Sequence, residues 1–373
     1  MSLLTIVFLV LGLVLLVLGA DWLVRGASGL AVKCGISSLV IGLTVVAYGT
    51  SAPELAVSVS SAYKNQADLA LGNVVGSNIF NVLVILGLCA VVVPLIVHKQ
   101  LVKFDLWVMI GSSILIYLIC LDGKISFLDG IVLFSLAIFY TIFSVLKSRK
   151  ETKLAAANEE EQAPQSPWFV NVGWIAIGLV ALIFGSKWLV DGAVEIARFV
   201  GVDELIIGLT IVAAGTSLPE VATSIVAAFK GERDIAVGNV IGSNIFNILT
   251  VLGVSSIVSP NGISVSLAAM NFDIPIMIAV AAVCLPVFFA TYEIGRLVGS
   301  LFFFSYVIYV VYLIMGAKEN PMLSTLHGVI IYALIPLAVL GLLILTAKGV
   351  RRMRNDKLAN EQNDLMTPEE SGS

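Results

Sequence analysis

The hexapeptide GTSAPE at residues 49–54 lies inside a long apolar stretch, and GTSLPE at residues 215–220 repeats it. Glycine and proline are poor in a helix interior, and proline also removes a backbone donor. Each hexapeptide therefore predicts a break or kink in a helix. A kink frees backbone carbonyls, here near Ala47 and Thr50, and non-helical backbone at membrane depth is tolerated only where it lines a cavity or is buried in protein.

A longer internal match surrounds the two hexapeptides. With an offset of 166 residues (220 minus 54), the sequence aligns with itself without a gap over about 70 positions. The alignment includes a second motif, GNVVGSNIFN at residues 72–81 and GNVIGSNIFN at residues 238–247. A match of this length indicates two copies of one structural unit.

The composition predicts a membrane protein. Of the 373 residues, 59% are hydrophobic and only 12% are charged, whereas soluble domains are about 25% charged. The net charge of -4 gives no reason to expect a nucleic-acid partner. No nucleophile–base pair or nucleotide-binding loop is visible, so we expect neither an enzyme nor an ATP-driven pump, and we predict no cofactor.

A membrane span needs roughly 20 apolar residues, and this rule predicts an all-α polytopic protein with about eleven spans. The expected spans are 3–24, 38–63, 72–94, 105–121, 128–146, 168–190, 204–229, 238–258, 272–290, 297–316 and 326–347. The expected organisation is a first five-helix repeat (1–147), a cytoplasmic linker (148–167), a second five-helix repeat (168–316), an extra eleventh helix (317–347) and a cytoplasmic tail (348–373).

Five spans is an odd number, so the second repeat should cross the membrane upside down relative to the first. Inverted repeats of this kind are typical of transporters, with the substrate site at the repeat interface. Placing the linker in the cytoplasm puts about 16 of the 21 Lys and Arg residues on the inner side. We therefore expect the N-terminus outside and the C-terminus inside the cell (inner) membrane.

Glu54 and Glu220 are the main candidates for function. An ionisable residue within a membrane span costs about 2.5 to 3.5 kcal/mol on insertion scales, so it is a functional candidate by default. One alternative is a protonated or hydrogen-bonded structural Glu. Another is a pair of simple kinks in which Ser and Thr bond back to their own helices, which would explain the Pro and Gly but not the Glu.

The second motif carries small residues and amides. Gly72 and Gly76 favour close helix packing, which is common between membrane helices. Asn73, Ser77 and Asn81 recur every four residues and so share one helix face. We expect Ser77 and Asn81, together with Ser243 and Asn247 of the second copy, to line the site.

The combined donor set is made of hard oxygens, which suit Ca²⁺ and Na⁺ and do not suit Zn²⁺ or Cu⁺. Two carboxylates about 6 Å apart repel by about 3 kcal/mol at an effective dielectric near 20. One divalent cation would neutralise both, and several monovalent cations could replace it. The electrostatics therefore favour exchange.

The paired motifs resemble the α-repeats of the calcium/cation antiporter superfamily, and most closely its prokaryotic sodium/calcium exchanger-like branch. The resemblance covers about residues 1–316. It implies ten core helices, breaks in the second, third, seventh and eighth of them, and alternating access by sliding of the first and sixth.

The resemblance also implies the roles of the site residues. Glu54 and Glu220 would hold Ca²⁺ with the carbonyls of Thr50 and Thr216. The Na⁺ sites would draw on Ala47, Ser51, Ser77, Asn81, Ala213, Ser217, Ser243 and Asn247. Some members carry Asp at one of the positions of Asn81 and Asn247, so the number of counter-ions stays open here.

The expected function is exchange of Ca²⁺ for Na⁺ across the membrane. The alternative is exchange of Ca²⁺, or another divalent cation, for H⁺, since two carboxylates could also carry protons. A passive channel is a further class, which would conduct without a counter-ion. The expected partners are the two ions and the lipid bilayer, and we expect a monomer.

Overall fold

The computed structural model describes residues 3–156 and 167–366, and it is almost entirely helical over these ranges. Four two-residue strands, β1 to β4, lie in the connections. The helices of the first half are α1 (Leu3–Cys34), α2 (Ser38–Thr50), α3 (Ala52–Tyr63), α4 (Ala67–Val92), α5 (Leu101–Asp122) and α6 (Phe127–Ala156). Those of the second half are α7 (Trp168–Phe199), α8 (204–215), α9 (Leu218–Phe229), α10 (Arg233–Val258), α11 (Ala269–Thr291), α12 (Arg296–Ala317) and α13 (323–366).

The predicted polytopic all-α fold is confirmed. Within the described residues, nine helices are long and apolar enough to cross a membrane, and α2 with α3 makes a tenth, bent span. The remaining predicted segment, 204–229, is divided between α8 and α9. A helix rises 1.5 Å per residue, so the 32 residues of α1 exceed the roughly 30 Å apolar thickness of a bilayer and require a tilt.

Two of the four predicted helix breaks are absent. The helices α4 and α10 run without interruption, but each contains a π-helical segment, Asn81–Leu86 in α4 and Asn247–Leu252 in α10. The second motif contains no proline, so no backbone donor is lost there. Each motif instead ends on the asparagine at which the π-helical segment begins, as is frequent at functional sites.

Helices extend into both the linker and the tail. The helix α6 continues through the charged residues as far as Ala156, while residues 157–166 of the linker lie outside the described part of the chain. The helix α13 contains the predicted eleventh span and continues through the basic cluster to Met366. Residues 367–373 of the tail lie outside the described ranges.

The two halves contact each other crosswise. Strand β1 (Leu95–Ile96) pairs with β4 (Glu293–Ile294), and β2 (Lys124–Ile125) pairs with β3 (Ile263–Ser264), both antiparallel. Strand β3 follows α10 as β1 follows α4, and β4 follows α11 as β2 follows α5, so the pair β3–β2 is the equivalent of the pair β1–β4. This exchange is what an approximate two-fold axis between inverted repeats produces.

Glycines bring α1 and α7 into close contact. A Cβ atom on Gly19 would lie 2.8 Å from the carbonyl oxygen of Gly178, and one on Gly12 would lie 2.8 Å from that of Gly185. Gly12 and Gly178 are equivalent in the two repeats, as are Gly19 and Gly185, so this contact also follows the two-fold axis. Small residues of this kind let the backbones of membrane helices approach closely.

Gly178→Ala should destabilise the protein, because the added methyl group would lie 2.6 Å from the backbone nitrogen of Leu23. Overpacking of this kind costs about 1 to 3 kcal/mol. Gly173→Ala on the same helix is the matched control, because a Cβ there has no neighbour within 4 Å and alanine is the better helix former. Thermal unfolding in detergent should show a lower midpoint for Gly178→Ala only, and equal midpoints would contradict the packing.

Candidate functional site

The two hexapeptides interrupt helices as predicted, and each interruption places a glutamate. Helices α2 and α3 meet at Ser51 with a bend of 48°. Glu54 lies in the first turn of α3, next to Pro53, which needs no backbone donor there. Glu220 has the same place in the first turn of α9. Both carboxylates thus lie at the positive end of a helix dipole, which stabilises negative charge.

The glutamates are bound across the repeat interface. The Ser51 hydroxyl donates to Oε1 of Glu220 at 2.7 Å, and the Ser217 hydroxyl donates to Oε1 of Glu54 at 2.9 Å. The broken helices therefore bring both glutamates into one site, and the interpretation that these serines bond back to their own helices is wrong.

Several buried oxygens in this region have no hydrogen-bond partner within the described chain. Glu54 is 0% exposed and Glu220 is 1% exposed, yet Oε2 of each carboxylate is unpaired. The same holds for Oδ1 of Asn81, Oδ1 of Asn247 and the hydroxyl of Ser243. A buried polar atom without a partner typically costs about 1 to 3 kcal/mol, more when charged. A set made only of oxygens is suited to a hard cation.

The remaining predicted residues pack around the same place. The Ser217 hydroxyl also donates to that of Ser77 at 3.1 Å. Thr50 is fully buried, and its hydroxyl donates to Oδ1 of Asn239 at 3.1 Å. We expected the kink to free the backbone carbonyl of Ala47. This carbonyl is not free, because it accepts the backbone N–H of Ser51 at 3.0 Å.

Asn73 and its mate Asn239 support the glutamates. The amide nitrogen of Asn73 donates to the backbone carbonyl of Glu54 at 3.2 Å and to the hydroxyl of Ser58 at 2.9 Å. Asn239 makes the equivalent bonds to Glu220 and Ser224 at 3.4 and 3.0 Å. Asn73 shares a helix face with Ser77 and Asn81, and its amide nitrogen holds the first turn of the glutamate's helix.

A cavity of about 440 Å³ reaches the site from one side. Its lining includes three predicted ligands, Ala213, Thr216 and Ser77, together with the carboxylate residues Asp68 and Asp273. The cavity runs along the first half of α4, along α8, which is the first half of the predicted span 204–229, and along the second half of α12. These parts of the helices all lie at the membrane face on which α1 begins, so the cavity opens to that face.

The opposite face is closed. A Cβ on Gly242 would lie 2.5 Å from the carbonyl oxygen of Leu43, and one on Gly238 would lie 2.7 Å from that of Leu39. The α1 helix also reaches the second repeat there, since Asp21 Oδ1 is 2.5 Å from Lys230 Nζ. The packing that the motif predicts for these glycines is thus present in the second copy.

The first copy of the motif does not pack in this way. A Cβ on Gly72 or on Gly76 would have no neighbour within 4 Å, and both residues line the open cavity. The prediction that these two glycines serve helix packing is wrong for this structure. Identical motifs therefore have different surroundings, because the cavity opens beside one copy only.

The sequence analysis missed a second pair of carboxylates. Asp105 is fully buried, and the Tyr140 hydroxyl donates to its Oδ1 at 2.9 Å. Its mate Asp273 lies in the open cavity, where the Tyr309 hydroxyl donates to it at 3.4 Å. The repeat of Phe104-Asp105 at residues 272–273 was the available signal.

Comparison with known proteins agrees with this geometry. A family model described as "Sodium/calcium exchanger protein" matches residues 4–146 and 170–315. The chain is 33% identical to "Sodium/calcium exchanger MaX1" of Methanosarcina acetivorans over 83% of this chain and 99% of that protein. It is 37% identical to "Inner membrane protein YrbG" of Escherichia coli, over 74% of this chain and 87% of that protein.

A solved structure shares the fold. The sodium-calcium exchanger NCX_Mj, soaked with zero Na⁺ and Ca²⁺, superposes with a TM-score of 0.72 at 33% identity, covering 84% of this chain and all of that one. Fold and matches together define a multi-pass cation/Ca²⁺ antiporter, a transporter class. The chain belongs to the sodium/calcium exchanger family.

The one-sided cavity predicts a difference between two equivalent alanines. Ala213 lines the cavity, whereas Ala47 is 0% exposed. In a chain whose four cysteines are replaced by alanine, Ala213→Cys should react with a water-soluble thiol reagent at least about tenfold faster than Ala47→Cys, since only the thiolate that water reaches can react. Labelling followed by mass spectrometry measures both rates, and equal rates would contradict one-sided access.

Proposed function

We propose that the protein exchanges Ca²⁺ for Na⁺ across the cell (inner) membrane by alternating access, with Ca²⁺ held between Glu54 and Glu220. The observation that carries this proposal is the pair of unpaired Oε2 atoms on two buried carboxylates, each bound by a serine of the opposite repeat. Their other oxygens are already bound to Ser217 and Ser51. Each carboxylate thus retains one oxygen for a cation.

The charge of the site suits one divalent ion. Ca²⁺ takes about 6 to 8 oxygen ligands, and its charge of +2 matches two carboxylates. Among the described residues, no group of three or more His, Cys, Asp or Glu side chains could hold a metal ion. Neutral oxygens must therefore complete the coordination, and the backbone carbonyls of Thr50 and Thr216 lie at the two helix interruptions, beside the glutamates.

Sodium would use the neutral oxygens that Ca²⁺ leaves. Asn81, Asn247 and Ser243 offer buried oxygens without partners, and Ser77 lies next to Ser217. Na⁺ ions bound near the glutamates would cover the same negative charge. A buried pair of carboxylates is costly without counter-charge. The site would therefore change its access from one face to the other only when occupied, and this couples the two fluxes.

The alternating step follows from the broken symmetry of the two repeats. One face of the site is open and the other is closed, although the sequences on both faces are nearly the same. If the repeats exchange their conformations, the open face closes and the closed face opens around a site that stays in place. With the N-terminus outside, as the distribution of Lys and Arg favours, the present cavity faces the outside.

Proton exchange is the second candidate. It is favoured by the amides at Asn81 and Asn247, which leave only two carboxylates at the centre, each with one oxygen available to a proton. Purified protein in sealed vesicles separates the two candidates. An outward Na⁺ gradient should drive Ca²⁺ uptake, and a proton ionophore should leave this uptake unchanged. Uptake driven only by an outward proton gradient would establish the alternative, and uptake driven by neither would refute antiport.

Neutralising either glutamate should stop Ca²⁺ transport. Removing one member of a buried charged set costs about 2 to 5 kcal/mol, so Glu54→Gln and Glu220→Gln should each lower the rate of Ca²⁺ uptake at least about 30-fold. Glu195→Gln is the matched control, because Glu195 is exposed on α7. Initial rates of ⁴⁵Ca²⁺ uptake measure the effect, and wild-type rates in either variant would refute the shared site.

A further inference from the structure

Four asparagines form a closed group between α4 and α10. Asn78 and Asn81 come from the first repeat, and Asn244 and Asn247 come from the second. Each is at most 2% exposed. Asn81 and Asn247 belong to the predicted ion site, and Asn78 and Asn244 lie beside them.

The amides of the two site asparagines are held in one orientation. Nδ2 of Asn81 donates to Oδ1 of Asn244 at 3.0 Å, and Nδ2 of Asn247 donates to Oδ1 of Asn78 at 3.1 Å. The other end of each site amide, Oδ1, is buried without a partner. Both side chains therefore direct their nitrogen to the opposite repeat and keep their oxygen unpaired.

Asn78 and Asn244 are themselves fixed. Nδ2 of Asn78 donates to the backbone carbonyl of Asn244 at 3.2 Å, and Nδ2 of Asn244 donates to that of Asn78 at 3.3 Å. The same nitrogens contact the sulfur atoms of Met277 and Met109 at 3.6 and 3.5 Å. With its donor end bound in this way, each amide can offer only its oxygen to the site asparagine.

This arrangement matters because an amide has two different ends. Its oxygen accepts and can bind a cation, whereas its NH₂ group only donates. A half-turn about the last side-chain bond of Asn247 would replace a ligand with a group that repels Na⁺ and Ca²⁺. Nothing in the shape of the side chain prevents this half-turn, since the two ends are nearly the same size.

We propose that Asn78 and Asn244 are positioning residues, which hold the amides of Asn247 and Asn81 so that the site presents oxygen to its ions. The proposal rests on the proposed function of the site as a cation site. Each positioning residue acts on the opposite repeat: Asn78 orients the amide of the second repeat, and Asn244 orients that of the first.

A double-mutant cycle tests the positioning role. Asn78→Leu removes the acceptor for Asn247, a ligand of the proposed Na⁺ sites, so the dissociation constant for Na⁺ should rise about tenfold, or about 1.4 kcal/mol. A carboxylate has two equivalent oxygens and no wrong orientation. In the Asn247→Asp background, Asn78→Leu should therefore change the dissociation constant less than about twofold. Calorimetric titration of the detergent-purified protein with NaCl measures binding without needing turnover.

The chain offers a matched control for this cycle. Asn81→Asp adds the same carboxylate on the other repeat, where it contacts Asn244 rather than Asn78. It should therefore leave the tenfold effect of Asn78→Leu in place. By the same argument, Asn244→Leu should be suppressed by Asn81→Asp and not by Asn247→Asp. If leucine prevents folding, Asn78→Ala and Asn244→Ala remove the same acceptors with less bulk.

Each outcome decides between positioning and packing. An equal effect of Asn78→Leu in all three backgrounds would show a packing role and overturn the proposal, as would suppression by Asn81→Asp. Wild-type protein that binds neither Ca²⁺ nor Na⁺ would overturn the proposed function and this inference together. Wild-type binding without the crosswise coupling would overturn only the inference.

Discussion

The structure depends on two buried carboxylates, those of Glu54 and Glu220. Glu54 and Glu220 are each bound by one serine of the opposite repeat, and each keeps one oxygen without a partner. Neither repeat could build this site alone, because the serine and the glutamate of one bond belong to different halves. The helix interruptions, the small residues and the amides around the glutamates all serve to bring these two groups together and to supply oxygens beside them.

The two-fold symmetry between the repeats holds for hydrogen bonds at the site and is lost in the helix packing that closes one face of it. The hydrogen bonds from the serines to the glutamates, and from the threonines to the asparagines, each have a counterpart in the other repeat, with similar lengths. Gly242 and Gly76, by contrast, have nearly identical neighbours in sequence and different surroundings in space. A site that is symmetric inside and asymmetric in its access is what a transporter with one open face requires.

Much of this could be predicted from the sequence. The apolar segments gave the spans, and the repeat of the hexapeptide gave the breaks in the second and seventh helices, because proline acts locally on its own helix. The prediction of breaks in α4 and α10 was wrong. These helices contain π-helical segments instead, and no residue in their sequence signals such a segment as proline signals a break. The buried Asp105 was overlooked because its partner Tyr140 is 35 residues away in sequence. The assignment of the Asn73 amide to the backbone of Glu54 likewise required the packing of two helices.

The crosswise pairing of the four short strands has a consequence for how such a chain could arise. The two strand pairs and the two serine–glutamate bonds are isologous, so a half-length chain could make these contacts with an inverted copy of itself. In such a dimer, every substitution would appear twice, and both faces of the site would have to change together. Fusion of the two copies removes that restriction. Positions such as Asp21 and Lys187, which are equivalent in the repeats but opposite in charge, show that the two halves have since been free to diverge.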